Sequence, residues 1–289
     1  MIAAIRSMSE KKNMGIFPAL SCPARWDKLL VCTDGSASGQ NAVAVTLELA
    51  QACSSQVHVV QVLEVVPEYQ ASEEGQKNME AIKDAAAKLE VSIQPVVPQS
   101  QVPHTAIALE AEKICPDLVI MGRRGKTALD LLMMGSVTAQ VIGRSLANVL
   151  VVPRGAAVGF QRLLVASDGS LSSEVAWKLA LAMAKQAKSQ LIGVAVAPKK
   201  GDISEAKAII QKMLSAAKET DISFRAIKGV SPQGVAADIG IVQEAIKNEV
   251  DLIIMGCYGR TGLKKLLMGS TTEKVIGNAP CPVLVVKQI

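Results

Sequence analysis

Short runs of β-branched and aliphatic residues alternate along this chain with longer stretches whose apolar positions recur at helical spacing. That alternation is the pattern of βαβ units feeding a parallel sheet. In the first half it predicts strands near Lys28–Thr33, Gln56–Leu63, Val91–Val97, Leu118–Met121 and Val149–Val152. Helices are expected near Ser38–Ala52, Ser72–Leu89, Thr105–Ile114 and Val137–Ser145. In the second half the strands fall near Arg162–Ser167, Gln190–Val196, Ile222–Lys228, Leu252–Met255 and Val283–Val286. The corresponding helices fall near Ser172–Ala187, Ile203–Glu219, Pro232–Asn248 and Thr271–Ile276. Because βαβ crossovers are right-handed, the expected fold is α/β: two tandem doubly wound Rossmann-like domains, each a five-stranded parallel sheet with four helices.

The two halves are copies. Leu29-Leu30-Val31-Cys32-Thr33-Asp34-Gly35-Ser36 returns as Leu163-Leu164-Val165-Ala166-Ser167-Asp168-Gly169-Ser170. Asp117-Leu118-Val119-Ile120-Met121-Gly122 returns as Asp251-Leu252-Ile253-Ile254-Met255-Gly256, and Val149–Val152 returns as Val283–Val286, always at an offset of 134. In the middle, Pro103 and Pro232, each expected just before a third helix, differ by only 129, so length drifts there while both ends hold register. A repeat of this length is a duplicated domain rather than a solenoid unit. The domains are expected at 27–154 and 161–289. Residues 1–26 lack a sustained apolar h-region and are read as a disordered leader, or as the product of a start codon upstream of Met8 or Met14.

Composition narrows the chemistry. Two His, two Trp, two Tyr and three Phe among 289 residues leave no material for a multi-histidine metal site or an aromatic platform for single strands. A net charge of +5 without a long basic run argues against a nucleic-acid binder. Every apolar run is broken by charge before it reaches membrane-spanning length. The six cysteines (Cys22, Cys32, Cys53, Cys115, Cys257 and Cys281) form no Cys-x-x-Cys pair and are expected to be reduced, mostly buried and cytoplasmic.

Ligands of open α/β sheets bind beyond the carboxyl ends of the strands, where strand order reverses. Two loops per copy qualify. The loop after the fourth strand carries Gly122, Gly125 and Gly135-Ser136 in one copy, and Gly256, Gly259 and Gly269-Ser270 in the other, at identical spacing. Glycines let backbone N–H groups converge on an anion, and a helix opened by Gly-Ser presents unpaired N–H groups and the positive end of its dipole to a phosphate. Lys126 and Arg260 follow the second glycine and could supply charge. A Walker A loop is excluded, because position 120 is Ile120 where that motif needs glycine. Asp34 and Asp168 end the first strand of each copy; either could be a turn or cap carboxylate, or could accept hydrogen bonds from a ribose or base.

These residues carry a resemblance. Asp34-Gly35-Ser36, Met121-Gly122-Arg123-Arg124-Gly125-Lys126 and Gly135-Ser136-Val137-Thr138 resemble the universal stress protein family in its ATP-binding branch. So do Asp168-Gly169-Ser170, Met255-Gly256-Cys257-Tyr258-Gly259-Arg260 and Gly269-Ser270-Thr271-Thr272-Glu273. The likeness runs from Lys28 to the end. It implies an ATP site in each domain, with or without Mg²⁺. Asp34 and Asp168 would contact the nucleoside, and Val62 and Val196 would meet adenine through their backbones. The phosphates would lie on Gly122, Gly125, Gly135 and Ser136, and on Gly256, Gly259, Gly269 and Ser270, with Met121 and Met255 leading into the loops. It further implies pairing of domains through the last strands, Val149–Val152 and Val283–Val286, and a homodimer of tandem chains. The chain departs from the family at Cys32 and Ala166, where proline is common, and at Asn148, where the second copy keeps Pro282.

The resemblance therefore implies a cytoplasmic, nucleotide-dependent sensor or regulator in stress response that acts on a protein partner. A slow ATP hydrolase and a nucleotide-free dimerisation module are the alternatives. With one Asp per site and no second carboxylate, efficient hydrolysis is not expected.

Overall fold

The computed structural model describes residues 20–63, 73–125, 134–195, 203–220, 222–227, 236–259 and 268–287. The chain divides into two compact units, 1–157 and 158–289. The first holds β1 (Lys28–Cys32), α1 (Ala37–Cys53), β2 (Gln56–Val60), α2 (Glu73–Lys88), β3 (Ile93–Val96), α3 (Pro103–Ile114), β4 (Leu118–Gly122), α4 (Ser136–Arg144) and β5 (Asn148–Val152). The second holds β6 (Arg162–Ser167), α5 (Leu171–Ala187), β7 (Gln190–Ala195), α6 (Ile203–Lys218), β8 (Phe224–Ile227), α7 (Ala237–Lys247), β9 (Leu252–Gly256), α8 (Ser270–Asn278) and β10 (Val283–Val286). Strand order is β3-β2-β1-β4-β5 in the first unit and β8-β7-β6-β9-β10 in the second, every pair parallel. Each unit is thus the expected five-stranded, four-helix doubly wound sheet.

The central strands are covered on both faces, which is why they read as continuous aliphatic runs. Leu118 through Gly122 are all buried, as are Leu252 through Gly256. Helix α1 is wedged against β1, β4 and β5, and 11 of its 17 residues are buried. On the return path α3 packs on α4, and α7 on α8. The start of each sheet is stitched to the following crossover in the same way. Asp117 accepts from the Lys28 amide (2.8 Å) while Lys28 Nζ donates to the Ile114 carbonyl at the end of α3 (3.0 Å). In the second unit Asp251 accepts from the Arg162 amide (2.8 Å), and Arg162 Nε donates to the Glu249 carbonyl (2.8 Å).

The structure departs from the sequence expectation at several points. Strand β2 stops at Val60, and Leu63 forms only an isolated bridge with Gln99. Pro103 does not precede α3 but is its first residue, where its missing N–H costs nothing. Helix α7 is described from Ala237, and the positions from Pro232 expected to open it lie outside the described residues, as do Ile203's side chain and Lys228. Within the segment read as a leader, Leu20–Trp26 are described, and Trp26 is 5 % exposed, because its large apolar ring is more stable in the core than in water.

The expectation that all six cysteines are reduced is also corrected. Cys22 and Cys53 form a disulfide that spans 31 residues of sequence and closes over the C-terminal end of α1. Chain folding brings the two together, and no local spacing announces it. Cys32, Cys257 and Cys281 are buried and outside the disulfide, whereas Cys115 is free and exposed. Burial pushes the Cys281 thiol up to about 12, and Cys32 further still.

Candidate functional site

In each unit the strand order reverses between the first and fourth strands, β1 and β4 or β6 and β9, so their carboxyl ends frame a crevice. The turn leaving β1 is built locally. The Thr33 Oγ1 accepts from the Gly35 amide (3.1 Å), and Asp34 Oδ1 accepts from the Ser36 amide (3.0 Å). Gly35 takes φ +79°, which an L side chain rarely adopts. Ser36 then caps α1 by accepting from the Gly39 amide (3.1 Å). The second unit repeats the turn: Ser167 Oγ accepts from Gly169 (3.2 Å), Asp168 Oδ1 from Ser170 (3.0 Å) and Ser170 Oγ from Ser173 (3.3 Å). The caps are therefore Ser36 and Ser170, which leaves one carboxylate oxygen of each aspartate directed elsewhere.

That second oxygen stands over the glycine loop. A Cβ placed on Gly125 would lie 2.6 Å from Asp34 Oδ2, and one on Gly259 would lie 2.7 Å from Asp168 Oδ2. The first motif glycine does different work. A Cβ on Gly122 would meet the backbone of Ser38 at 2.7 Å, and one on Gly256 the backbone of Ser172 at 2.7 Å. Gly122 and Gly256 thus let the first turn of α1 or α5 lie directly on the fourth strand. The third motif glycine is different again. A Cβ on Gly135 would come no closer than 3.4 Å to Arg124 Cα, and one on Gly269 no closer than 3.4 Å to the Cys257 carbonyl, so among the described residues no neighbour demands glycine there.

Gly135 and Gly269 are the N-caps of α4 and α8, and neither helix has a side-chain cap. The Gly135 amide donates to the Arg123 carbonyl and the Gly269 amide to the Cys257 carbonyl, both at 2.9 Å, which ties the loop to the helix start. Ala139 makes the first intrahelical bond of α4, so the amides of Ser136, Val137 and Thr138 have no acceptor inside the helix. Ser136 and Ser270 are exposed in that first turn. Two hydroxyls that sequence reasoning left without a role hold the arrangement: Thr138 Oγ1 donates to the Gly122 carbonyl, and Thr272 Oγ1 to the Gly256 carbonyl, each at 3.0 Å. The only signal for them was threonine at matching positions of both copies.

The other expected residues fall as follows. Met121 and Met255 are buried in β4 and β9, at 5 % exposure each. Val62 is half-buried just past β2. Lys126, Val196 and Arg260 lie outside the described residues. Among the described residues no group of three or more His, Cys, Asp or Glu could hold a metal ion.

The copies differ beside the loop. Between the first two glycines the first unit has Arg123 and Arg124, and burial together with the neighbouring Arg124 charge lowers the Arg123 guanidinium below its ordinary value. The second unit has Cys257 and Tyr258 there, and supplies its cation from Lys287, which replaces Pro153 of the first. Lys287 Nζ lies 3.6 Å from Cys257 Sγ and 5.9 Å from the Tyr258 ring centroid. Burial raises the Cys257 thiol, and Lys287 and Tyr258 partly oppose that rise. A compensated exchange also occupies the turn. A Cβ on Gly39 would come within 2.9 Å of Thr33 Oγ1, whereas the second unit pairs the smaller Ser167 with Ser173, hydroxyl to hydroxyl at 2.9 Å.

Fold and site together define a tandem doubly wound α/β protein with two like crevices, each closed by one aspartate and a glycine loop. The sequence model described as "Universal stress protein family" matches residues 25–153 and 159–287. The chain belongs to the universal stress protein family. It is 34% identical over 145 residues to a universal stress protein of Methanocaldococcus jannaschii, MJ0531, a match covering 45% of this chain and 83% of that one. The crystal structure of a universal stress protein from Archaeoglobus fulgidus shares the fold over 90% of this chain and 98% of its own, with a TM-score of 0.70 at 22% identity. A further family member, solved in complex with cAMP, covers 45% of this chain and 99% of its own at 23% identity and a TM-score of 0.39. None of the described helices is long and apolar enough to cross a membrane.

Proposed function

We propose that each unit binds ATP in the crevice between its first and fourth strands, and that the chain works as a cytoplasmic, nucleotide-dependent regulator in stress response. The observation that carries this is the same arrangement met twice. A carboxylate oxygen faces the second loop glycine, beside a helix N-terminus that has no side-chain cap and a cap glycine that no described neighbour requires. First-turn amides with no acceptor inside the helix, together with the helix dipole, suit a polyphosphate. The residues fit the group: Gly125, Gly135 and Ser136 would hold phosphates, Asp34 would accept from a ribose hydroxyl, and the backbone at Val62 would meet the base. Asp168, Gly259, Gly269 and Ser270 would do the same in the second unit, with Lys126 and Arg260 adding charge.

ATP supplies binding energy and charge here; Asp34 and Asp168 are each already engaged by a turn amide and are poorly placed to serve as a general base. Turnover with Mg²⁺ should accordingly lie far below the common enzymatic value of about 10 per second. The deciding experiment is mass spectrometry of nucleotide released on denaturation from the wild type, from Gly135→Val and from Gly269→Val. Adenine nucleotide should be released by the wild type, and about half as much by each variant. Release of none, with no binding of added ATP, would overturn the assignment.

A further inference from the structure

We propose that Cys22 and Cys53 form a reversible thiol–disulfide site which staples the N-terminal segment to the first unit alone, and through which low-molecular-weight thiols and disulfides regulate that unit's stability.

The argument begins with the latch beneath the bridge. Trp26 is buried at the start of the first unit, and its carbonyl accepts from the buried Ser55 hydroxyl just after α1. The second unit builds the same latch without sulfur: Phe160 is buried, and its carbonyl accepts from the buried Ser189 hydroxyl just after α5. The positions 134 residues beyond Cys22 and Cys53 are Ala156 and Ala187. Folding of this motif therefore does not need a bridge, and the disulfide is an addition to one copy only.

Accessibility points the same way. Cys22 and Cys53 are both half-buried, within reach of a small thiol, while Cys32, Cys257 and Cys281 are buried. Burial holds those three thiols protonated, so they cannot compete as nucleophiles. Cys115, the exposed thiol, shows no disulfide partner. An exposed free thiol beside a single bridge is the usage expected where disulfides come and go rather than where every exposed thiol is paired.

The exchange balances simply. One cysteine thiolate attacks a sulfur of a small disulfide and displaces one small thiolate, leaving a mixed disulfide. The second cysteine attacks the protein sulfur of that mixed disulfide and displaces the other. Two protein thiols are oxidised, the small disulfide is reduced to two thiols, and the two protons pass to the released thiolates.

The bridge joins positions 31 residues apart, and the loop so closed contains all of β1 and α1. By the chain-entropy relation, opening it should weaken the folding equilibrium of the first unit about 500-fold. The staple sits at the C-terminal end of α1 and Asp34 precedes its N-terminal end, so redox state should change stability without altering the crevice. The inference is thus independent of nucleotide binding.

The test uses the full chain equilibrated with mixtures of reduced and oxidised glutathione, quenched with acid, alkylated and mapped by peptide mass. Cys22 and Cys53 should lose their labels together at one midpoint without gaining glutathione, while Cys115, which has no partner cysteine, should lose its label only by gaining one glutathione, read by mass. Amide exchange across residues 20–53 should quicken in the reducing mixtures, with residues 158–195 unchanged. Cys22→Ser should exchange at the reduced rate in every mixture. The proposal is overturned if the bridge is absent in oxidised glutathione alone, if it survives reduced glutathione alone, or if amide exchange ignores its state.

Discussion

The three glycines of each loop look equivalent in the sequence, yet their surroundings assign them different work, and a single methyl group at each should expose it. In Gly122→Ala the new Cβ would sit 2.7 Å from the Ser38 carbonyl carbon and 2.8 Å from its oxygen. Ordinary contact starts near 3.4 Å, so α1 must shift by roughly 0.7 Å against a packed sheet, and such overpacking costs about 1–3 kcal/mol. In Gly135→Ala the nearest atom is 3.4 Å away, and the backbone, at φ −64° and ψ 142°, suits alanine. Exchanging glycine for alanine at an N-cap should then change stability by less than about 1 kcal/mol. That methyl would, however, stand among the open first-turn amides, and the double variant Gly135→Ala/Gly269→Ala should lose at least tenfold in ATP affinity, about 1.4 kcal/mol. Urea unfolding and calorimetric titration with ATP measure the two effects separately. A Gly122→Ala protein as stable as the wild type would refute the packing argument. A double variant that unfolds early, or binds ATP as well as the wild type, would refute the cradle.

Two further outcomes follow from buried positions. His58 is 7 % exposed, and neither ring nitrogen has a hydrogen-bond partner, so burial, with the Lys28 charge second, lowers its affinity for a proton. The unfolded chain then binds the proton more readily: this contribution to stability is full above about pH 6.5 and is lost as pH falls toward the lowered native value. His58→Ile, which installs the residue found at Ile192 of the second copy, should flatten the fall in urea midpoint between pH 7 and pH 5; an unaltered slope would refute it. Gly39→Ser alone should destabilise the first unit by bringing a Cβ within 2.9 Å of Thr33 Oγ1, and adding Thr33→Ala, which removes that oxygen, should restore part of the loss. A double-mutant cycle should return a coupling of about 0.5–3 kcal/mol, and additive effects would contradict the contact.

The architecture was legible because buried parallel strands such as Leu118–Met121 are unbroken aliphatic runs, and because duplication let each copy vouch for the other. Strand ends were less legible: Gln61 and Val62 look as strand-like as Val59 and Val60, but they lie outside β2. Helix α1 shows little amphipathic period because most of its circumference is buried, and its cap, Ser36, lies two residues before the start expected at Ser38. The loop glycines could be found from spacing, but not told apart, since whether a Cβ fits depends on Ser38, Asp34 or Arg124, residues 11 to 91 positions away in sequence. The disulfide was invisible for the same reason: proximity of Cys22 and Cys53 exists only once Trp26 and Ser55 have met.

The pairing of Thr33 with Gly39, against Ser167 with Ser173, constrains how this gene can change. Two halves that share stretches such as Leu29–Val31 and Leu163–Val165 lie in one reading frame, and a crossover that converts one half toward the other moves residues in blocks. A tract that carries the serine of position 173 into position 39 without reaching residue 33 would join partners from different copies, bringing a Cβ within 2.9 Å of Thr33 Oγ1. Tracts that move the whole turn would pass unharmed. The two crevices can therefore trade complete βα turns while each keeps its own internal fit, and chimeras of the two domains should be cut outside Thr33–Gly39 and Ser167–Ser173.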